Sequence, residues 1–352
     1  MASSIHLMVL PRRVIVGRKI LNTVGDACKS LGLTRNALVL ADPQTYKVAA
    51  KTVISSLSSS GFEADYVTVK EPLDKCIAKV EDRTKTFKPR AVLGVGGGRV
   101  IDVAKYVSAR REIPFISVPT AASHDGTASA QASLRNIAGI VSVRAQAPLA
   151  IIADTSVIVN SPYRLTASGC GDVISKYTAV RDWQLAHHLK NEYYGDYAAN
   201  LALMSARLVA KNSHMIHRGG EKGIRILVEA LISCGVAMSI AGSSRPCSGS
   251  EHLFSHALDI VAPESALHGE QCGVGTIMMA YLHKMNWMRI KRVLKRVGAP
   301  TNAKELGITP KYIVKALTKA HTIRPDRYTI LGEKGLTEAA ASRLAKSTGV
   351  IT

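Results

Sequence analysis

From Val14 to Ala153 short apolar runs alternate with longer amphipathic stretches, the pattern of a parallel α/β sheet whose strands are joined by helices. Strands are predicted over 14–16, 37–41, 64–69, 91–95, 115–118 and 149–153, and helices over 20–31, 45–58, 72–86 and 100–109. The middle strands are apolar, so both of their faces are expected to be covered. Residues 140–144 alternate apolar and polar ahead of Pro148, which fits an antiparallel ribbon. From about Ser161 the strand-like runs stop. Helical periodicities take over at 171–188, 196–217, 223–241, 252–261 and 274–297, punctuated by Pro162, Pro246, Pro263, Pro300 and Pro310. The expected architecture is an α/β N-terminal domain with a parallel sheet over 1–160, and an all-α C-terminal domain over 161–352. The cleft between them is the expected site.

Ligands of such sheets bind beyond the carboxyl ends of the strands. Three places meet that rule: Asp42 after the second strand, the glycines after the fourth, and residues 119–125 after the fifth. The fourth strand runs into Gly94-Val95-Gly96-Gly97-Gly98-Arg99 and then a helix. A glycine turn opening a helix presents free N–H groups and lets an anion approach where no Cβ stands in the way. The dinucleotide fingerprint would need glycine where Arg99 stands, so this is a phosphate turn of another kind, or a tight βα turn with no ligand.

Composition bounds the reading. The 352 residues suffice for two domains, and 47% hydrophobic with 20% charged residues fits an ordinary globular protein. No apolar run approaching the ~20 residues of a membrane span is expected. Residues 1–10 lack a basic region and a small-residue cleavage pattern, so no signal peptide is expected. Six scattered cysteines without a C-x-x-C pair fit free thiols in a reducing cytoplasm. Against 26 acidic residues stand 46 Lys and Arg, a net charge of +20. That charge suits nucleic acid, an anionic membrane surface or phosphorylated substrates alike. Its densest run, 284–296, is interleaved with Met285, Trp287, Met288, Ile290 and Val293, as in an amphipathic helix with a solvated face.

Candidate chemistry gathers in two places. His252 and His256 stand four apart, on one helix face; His268 and Asp172 lie further along and further back. Asp172, His252 and His268 are the residue types of a three-ligand zinc site with an open position. Spacing alone does not establish that site, because Asp172 equally suits a helix cap or first turn. The stretch Thr120-Ala121-Ala122-Ser123-His124-Asp125-Gly126-Thr127-Ala128-Ser129 is rich in hydroxyls. It reads either as a capping loop or as a cofactor contact with Asp125 facing the substrate.

Gly96-Gly97-Gly98-x-x-x-Asp102-x-x-Lys105, Val118-Pro119-Thr120 and the spaced Asp172, His252 and His268 resemble the iron- or zinc-dependent alcohol dehydrogenase and dehydroquinate synthase-like superfamily. Within it, the segments 119–126 and Arg324-Pro325-Asp326-Arg327-Tyr328-Thr329-Ile330-Leu331 are similar to the archaeal-type glycerol-1-phosphate dehydrogenases. The resemblance implies reversible NAD- or NADP-dependent reduction of dihydroxyacetone phosphate to sn-glycerol 1-phosphate, supplying the backbone of archaeal phospholipids in the cytoplasm. It implies one zinc ion per subunit on Asp172, His252 and His268. It also implies cofactor contacts from Gly96, Gly97, Gly98, Arg99, Val100, Ile101, Asp102, Thr120, Ala121, Ala122, Ser123 and Ser129. Asp125 and His256 are the implied catalytic and substrate-binding residues, with Asp172 touching substrate as well. Asp42 could bond a ribose hydroxyl. A homo-oligomer is expected, no nucleic-acid partner, and a peripheral membrane contact is compatible. A glycerol dehydrogenase or dehydroquinate synthase-like enzyme on the same scaffold is the alternative. A basic nucleic-acid or membrane-surface binding protein would instead show steep salt-dependent retention and no cofactor turnover.

Overall fold

All six predicted strands form in the computed structural model, which describes residues 6–70, 73–136, 139–263 and 266–352. In chain order the strands are β1 (Arg13–Gly17), β2 (Asn36–Ala41), β3 (Glu63–Thr68), β4 (Ala91–Gly96), β5 (Phe115–Pro119), β6 (Gln131–Asn136), β7 (Gly139–Arg144) and β8 (Ala150–Asp154). Six of them make one parallel sheet in the order β1-β8-β5-β4-β2-β3, and β6 pairs with β7 as the expected antiparallel ribbon. β4, β5 and β8 are buried at every residue. Alternating side chains of β2, β4 and β5 feed two apolar layers, one with Val39, Leu93, Val95 and Ile116, the other with Leu38, Leu40, Val92 and Phe115. The edge strands β1 and β3 are partly exposed and accordingly less apolar.

β3 lies on one side of β2 and β4 on the other, so the sheet reverses its winding between β2 and β4. Crevices beyond the carboxyl ends at such a reversal are where doubly wound sheets bind ligands. The helix expected over 72–86 is described from Leu73 to Phe87; Pro72 lies outside the described residues, as do residues 1–5 of the N-terminal stretch.

Asp154 ties the end of β8 to the chain leaving β1. Its carboxylate accepts the N–H groups of Ile20 at 2.7 Å, Lys19 at 3.0 Å and Leu21 at 3.3 Å, with Ser156 N at 2.9 Å. Burial opposes its charge, but the Ser156 hydroxyl, donating to Oδ1 at 2.5 Å, and then these N–H groups hold its pKa below the usual carboxylate value. A lowered folded-state pKa contributes stability that is complete above about pH 4 and fades as pH falls toward the folded value. Asp154→Asn should therefore cost about 2 kcal/mol in urea unfolding near neutrality, with the gap to wild type narrowing in acid. A gap independent of pH would show that the charge plays no part.

Contacts group the chain into two compact units: residues up to Ala122 with Gly126–Pro162, and Ser123–Asp125 with Tyr163–Thr352. Among the described residues the second unit has helices joined by turns and no strand. Several expected runs are broken. The run 171–188 becomes Tyr163–Ile174 and Lys176–Lys190, and 196–217 becomes Asp196–Lys211 and Ser213–His217. The run 274–297 splits into His268–Leu282 and Trp287–Arg296, because Lys284 takes a left-handed φ of 55° and turns the chain. Pro310–Lys319 and Glu338–Ser347 add helices that no periodicity had indicated. The expectation of no span-length apolar run also needs correction. Glu221–Ala241, with 21 residues, is long and apolar enough by composition, although 61% of its apolar window is buried in the fold.

Candidate functional site

In the first unit, β4 ends at Gly96 and the helix Gly98–Arg110 begins directly after Gly97. Nothing lies within 4 Å of where a Cβ on Gly97 would stand, so a ligand can reach the backbone there. At Gly94 a Cβ would press at 3.0 Å on Ala104, so this glycine lets the helix lie close on its strand. Register pairs Gly94 with Leu40 of β2 and Gly96 with Pro119 of β5. Asp42, the glycine turn and Thr120–Ala122 therefore stand side by side along one edge of the sheet.

The individual side chains there are largely committed. Asp42 Oδ1 accepts Gln44 N at 2.9 Å and Thr45 N at 2.8 Å, capping the next helix. Val100 and Ile101 face the core, and Arg99 is exposed. Asp102 stands 3.4 Å from the buried Lys105 ammonium, which donates to Gly126 O and Gln131 O at 2.5 Å each. Thr120, Ala121, Ala122 and Ser129 are buried, and Ser129 Oγ lies 3.4 Å from Gln131 O. At this turn the chain thus offers a ligand backbone N–H groups more than side chains.

The second unit brings together Asp172, His252 and His268. Asp172 sits near the end of the Tyr163–Ile174 helix and is fully buried, which rules out the cap or first-turn reading. His268 opens the His268–Leu282 helix. These two helices cross on glycine: a Cβ on Gly171 would collide with the Gly269 carbonyl, and one on Gly269 with the Ser168 carbonyl. Arg164 fastens the same crossing through two hydrogen bonds of 2.7 Å to Glu270. Gly171→Ala should push the helices apart, costing about 3 kcal/mol in thermal or urea unfolding and weakening metal retention. A variant as stable as wild type would show that the crossing has slack.

His252 and His256 come from the Ser250–Val261 helix, whose first turn is held by Asp182 Oδ2 accepting Ser250 N and Oγ at 2.6 Å each. His252 Nε2 lies 3.6 Å from Asp172 Oδ1, and the His252 and His268 ring centroids are 5.0 Å apart. Each ring is oriented through Nδ1. His252 Nδ1 meets Glu251 Oε1 at 2.8 Å, and His268 Nδ1 meets Ser255 Oγ at 3.1 Å. Ser255 Oγ donates onward to Gln271 Oε1 at 2.6 Å, so it accepts from the His268 ring. Both Nε2 atoms then face the pocket, His268 Nε2 lying 3.5 Å from the Cys272 sulfur, an orientation shared with histidine ligands backed by an outer hydrogen bond. Cys272 adds a thiol: donor atoms of His252, His268 and Cys272 all lie within 4.8 Å of one another. His256 stacks on His268 at 5.7 Å, and its Nδ1 is buried without a hydrogen-bond partner.

Charge in this pocket is finely opposed. Asp172 Oδ2 accepts Asp125 N at 2.7 Å, while the buried Lys176 ammonium reaches Asp172 Oδ1 at 2.6 Å and Asp125 Oδ2 at 2.8 Å. Burial works against ionising Asp172, but Lys176 and then His252 hold it well below the usual carboxylate range. Burial likewise works against Lys176, but Asp125 and Asp172 hold its pKa well above the usual lysine value. Burial disfavours a charged His252, yet the Cys272 sulfur, Asp172 and Glu251 outweigh it and raise its pKa well above the ordinary value. Burial and then His252 keep His268 well below it. Burial, then His252 and two arginines, push His256 down to about 4. The pocket draws a proton onto one imidazole, which is what a donor set suited to a divalent cation does without one.

Sequence reasoning did not find Lys176, Glu251 or Cys272. Lys176 stands four after Asp172, a spacing that was available; Glu251 is the neighbour of His252, and adjacent helical residues ordinarily diverge.

Comparison with known proteins adds a second line. The model of the iron-containing alcohol dehydrogenase family matches residues 15–162. The chain is 53% identical over 351 residues to a glycerol-1-phosphate dehydrogenase [NAD(P)+] of Thermococcus sibiricus, covering 100% of both chains. It is 56% identical over 353 residues to the Methanosarcina mazei protein of the same name, covering 99% of this chain and 98% of that one. Among solved structures, a glycerol dehydrogenase from Schizosaccharomyces pombe superposes with a TM-score of 0.83 at 21% identity, covering 98% of this chain and 91% of that one.

Proposed function

Because the chain belongs to the glycerol-1-phosphate dehydrogenases within the iron-containing alcohol dehydrogenase family, we propose that it interconverts dihydroxyacetone phosphate and sn-glycerol 1-phosphate with NAD(H) or NADP(H). One observation carries the chemistry: Asp172, His252 and His268 converge in a buried pocket with both imidazole Nδ1 atoms already engaged. These three residues would hold the metal, and a carboxylate with two imidazoles suits zinc with a position left open. Held there, a zinc ion would supply Lewis acidity at the ketone oxygen, and a reduced nicotinamide would supply the hydride.

The chain's own groups do the rest. The Gly96–Gly98 turn and the Thr120–Ser123 segment bind the cofactor, the former through N–H groups at a helix start. Asp42 bonds the ribose through the oxygen its cap leaves over. Asp125, anchored on Lys176, accepts a substrate hydroxyl, and its backbone N–H keeps Asp172 aligned. His256, neutral because its pKa lies near 4, offers Nδ1 to the substrate and passes the proton of the reaction toward solvent. The first unit is read as the nucleotide-binding domain and the second as the metal- and substrate-binding domain. A role in making membrane-lipid backbones, a cytoplasmic setting and a homo-oligomeric assembly complete the reading.

A spectrophotometric assay of NADH and NADPH oxidation tests it, run with dihydroxyacetone phosphate and with dihydroxyacetone, before and after chelation, with chiral analysis of the product. Chelator-sensitive turnover of the phosphorylated ketone to sn-glycerol 1-phosphate is expected. Preference for unphosphorylated dihydroxyacetone would favour the glycerol dehydrogenase reading, and no turnover with either would overturn both.

A further inference from the structure

We propose that Arg324 and Arg327 form the anion subsite that receives the substrate's phosphate and selects phosphorylated over free ketone; this rests on the function proposed above. The two arginines are the first and fourth residues of a turn closed by Arg327 N donating to Arg324 O at 2.9 Å, with Pro325 in second position. Such a turn brings its end residues to within about 7 Å. The segment is fastened to the lead-in of the helix that carries His252 and His256. Arg327 donates to Ser248 O at 2.6 Å and Ser244 Oγ at 2.8 Å, Arg245 donates to Tyr328 O at 2.9 Å, and Ile330 N donates to Asp182 Oδ1 at 2.7 Å. Asp182 is the same residue that holds the first turn of that helix. The turn is thereby held against the lead-in of the helix that carries His252 and His256.

Their charge is left uncompensated. Arg245 next to them is paired with Glu192 through both carboxylate oxygens. The hydrogen bonds of the Arg327 guanidinium go to neutral oxygens instead. Among the described residues, the Arg324 guanidinium has neither a hydrogen bond nor an ion pair. Asp326 and Glu192 influence Arg327 from a distance, but neither pairs with it among the described residues. Burial and the charges of Arg324 and Arg245 push the Arg327 pKa down to about 10, the mark of positive charge crowded at this turn. A dianionic phosphate relieves that crowding and matches the planar, bidentate donors of arginine. It is also the one group that separates dihydroxyacetone phosphate from dihydroxyacetone.

Arg324→Met and Arg324→Lys test this in the metal-loaded, full-length protein, with Arg324 chosen because its guanidinium holds no other part of the fold. Two readouts are taken: the ratio of kcat/KM for dihydroxyacetone phosphate to that for dihydroxyacetone, and the affinity for inorganic phosphate by calorimetry. Arg324→Met should lower the ratio roughly 10- to 100-fold and weaken phosphate binding in parallel, with zinc content retained and partial rescue in Arg324→Lys. A ratio and a phosphate affinity equal to wild type would overturn the subsite. If the wild type itself reduces neither ketone, the function proposed above fails, and the calorimetric comparison still decides the subsite.

Discussion

His268→Ala protein is expected to lose bound metal and turnover together. In the function proposed above the ring is one of three protein ligands, and its Nδ1 meets Ser255, which leaves Nε2 for the ion. Lewis-acid stabilisation of a developing alkoxide contributes several kcal/mol, so kcat should fall by at least ~10³-fold. Metal content by elemental analysis should drop to a small fraction of wild type in the same preparation. The ring is no source of charge to the fold, because burial and His252 keep it neutral, so the variant should remain folded by circular dichroism. Full activity from a metal-free His268→Ala protein would end the metal role of this site.

Lys176→Met carries the largest expected loss of stability. Removing the ammonium leaves the carboxylates of Asp125 and Asp172 without their shared buried partner. Breaking a buried pair from one side typically costs about 3–5 kcal/mol, chiefly because the remaining charge stays buried and unpaired. The loss should appear in urea unfolding of chelator-treated protein, where no divalent cation compensates. Deprived of Lys176, the carboxylates take up protons more readily when folded than when unfolded. Stability that comes from a raised folded-state pKa grows as pH falls, so the deficit should narrow in mild acid. Adding Asp125→Asn to Lys176→Met should recover more than about 1 kcal/mol, since the two positions are in direct contact. A single variant within about 1 kcal/mol of wild type would mean that the ammonium is not what holds the pair.

Much of the first unit was legible because its strands are apolar on both faces and end in turn residues, as at Gly96–Gly98 and Asp42. Breaks in the helical half were harder to see. Ser175 interrupts a run of good helix formers, and Lys284 adopts a left-handed conformation that its residue type does not announce. In the site, the spacing of His252 and His256 pointed to one helix face, whereas Asp172 had no spacing of its own and rested on resemblance. Its position follows from two helices touching at Gly171 and Gly269, a contact between segments nearly a hundred residues apart. Arg324 and Arg327 stood in a motif whose chemistry could not be read until the turn and the missing carboxylates were visible. Asp42 illustrates the opposite case: a strand-end acid that suggests a ribose contact also serves as an ordinary helix cap.

The contact at Gly171 and Gly269 also separates two properties that most metal sites tie together. Since peptide groups rather than interlocked side chains fix how closely the helices of Asp172 and His268 approach, the spacing of the proposed ligands is written into the main chain. Side chains of the lining that do not orient a ligand, Cys272 among them, can then be exchanged without changing how closely the two helices approach.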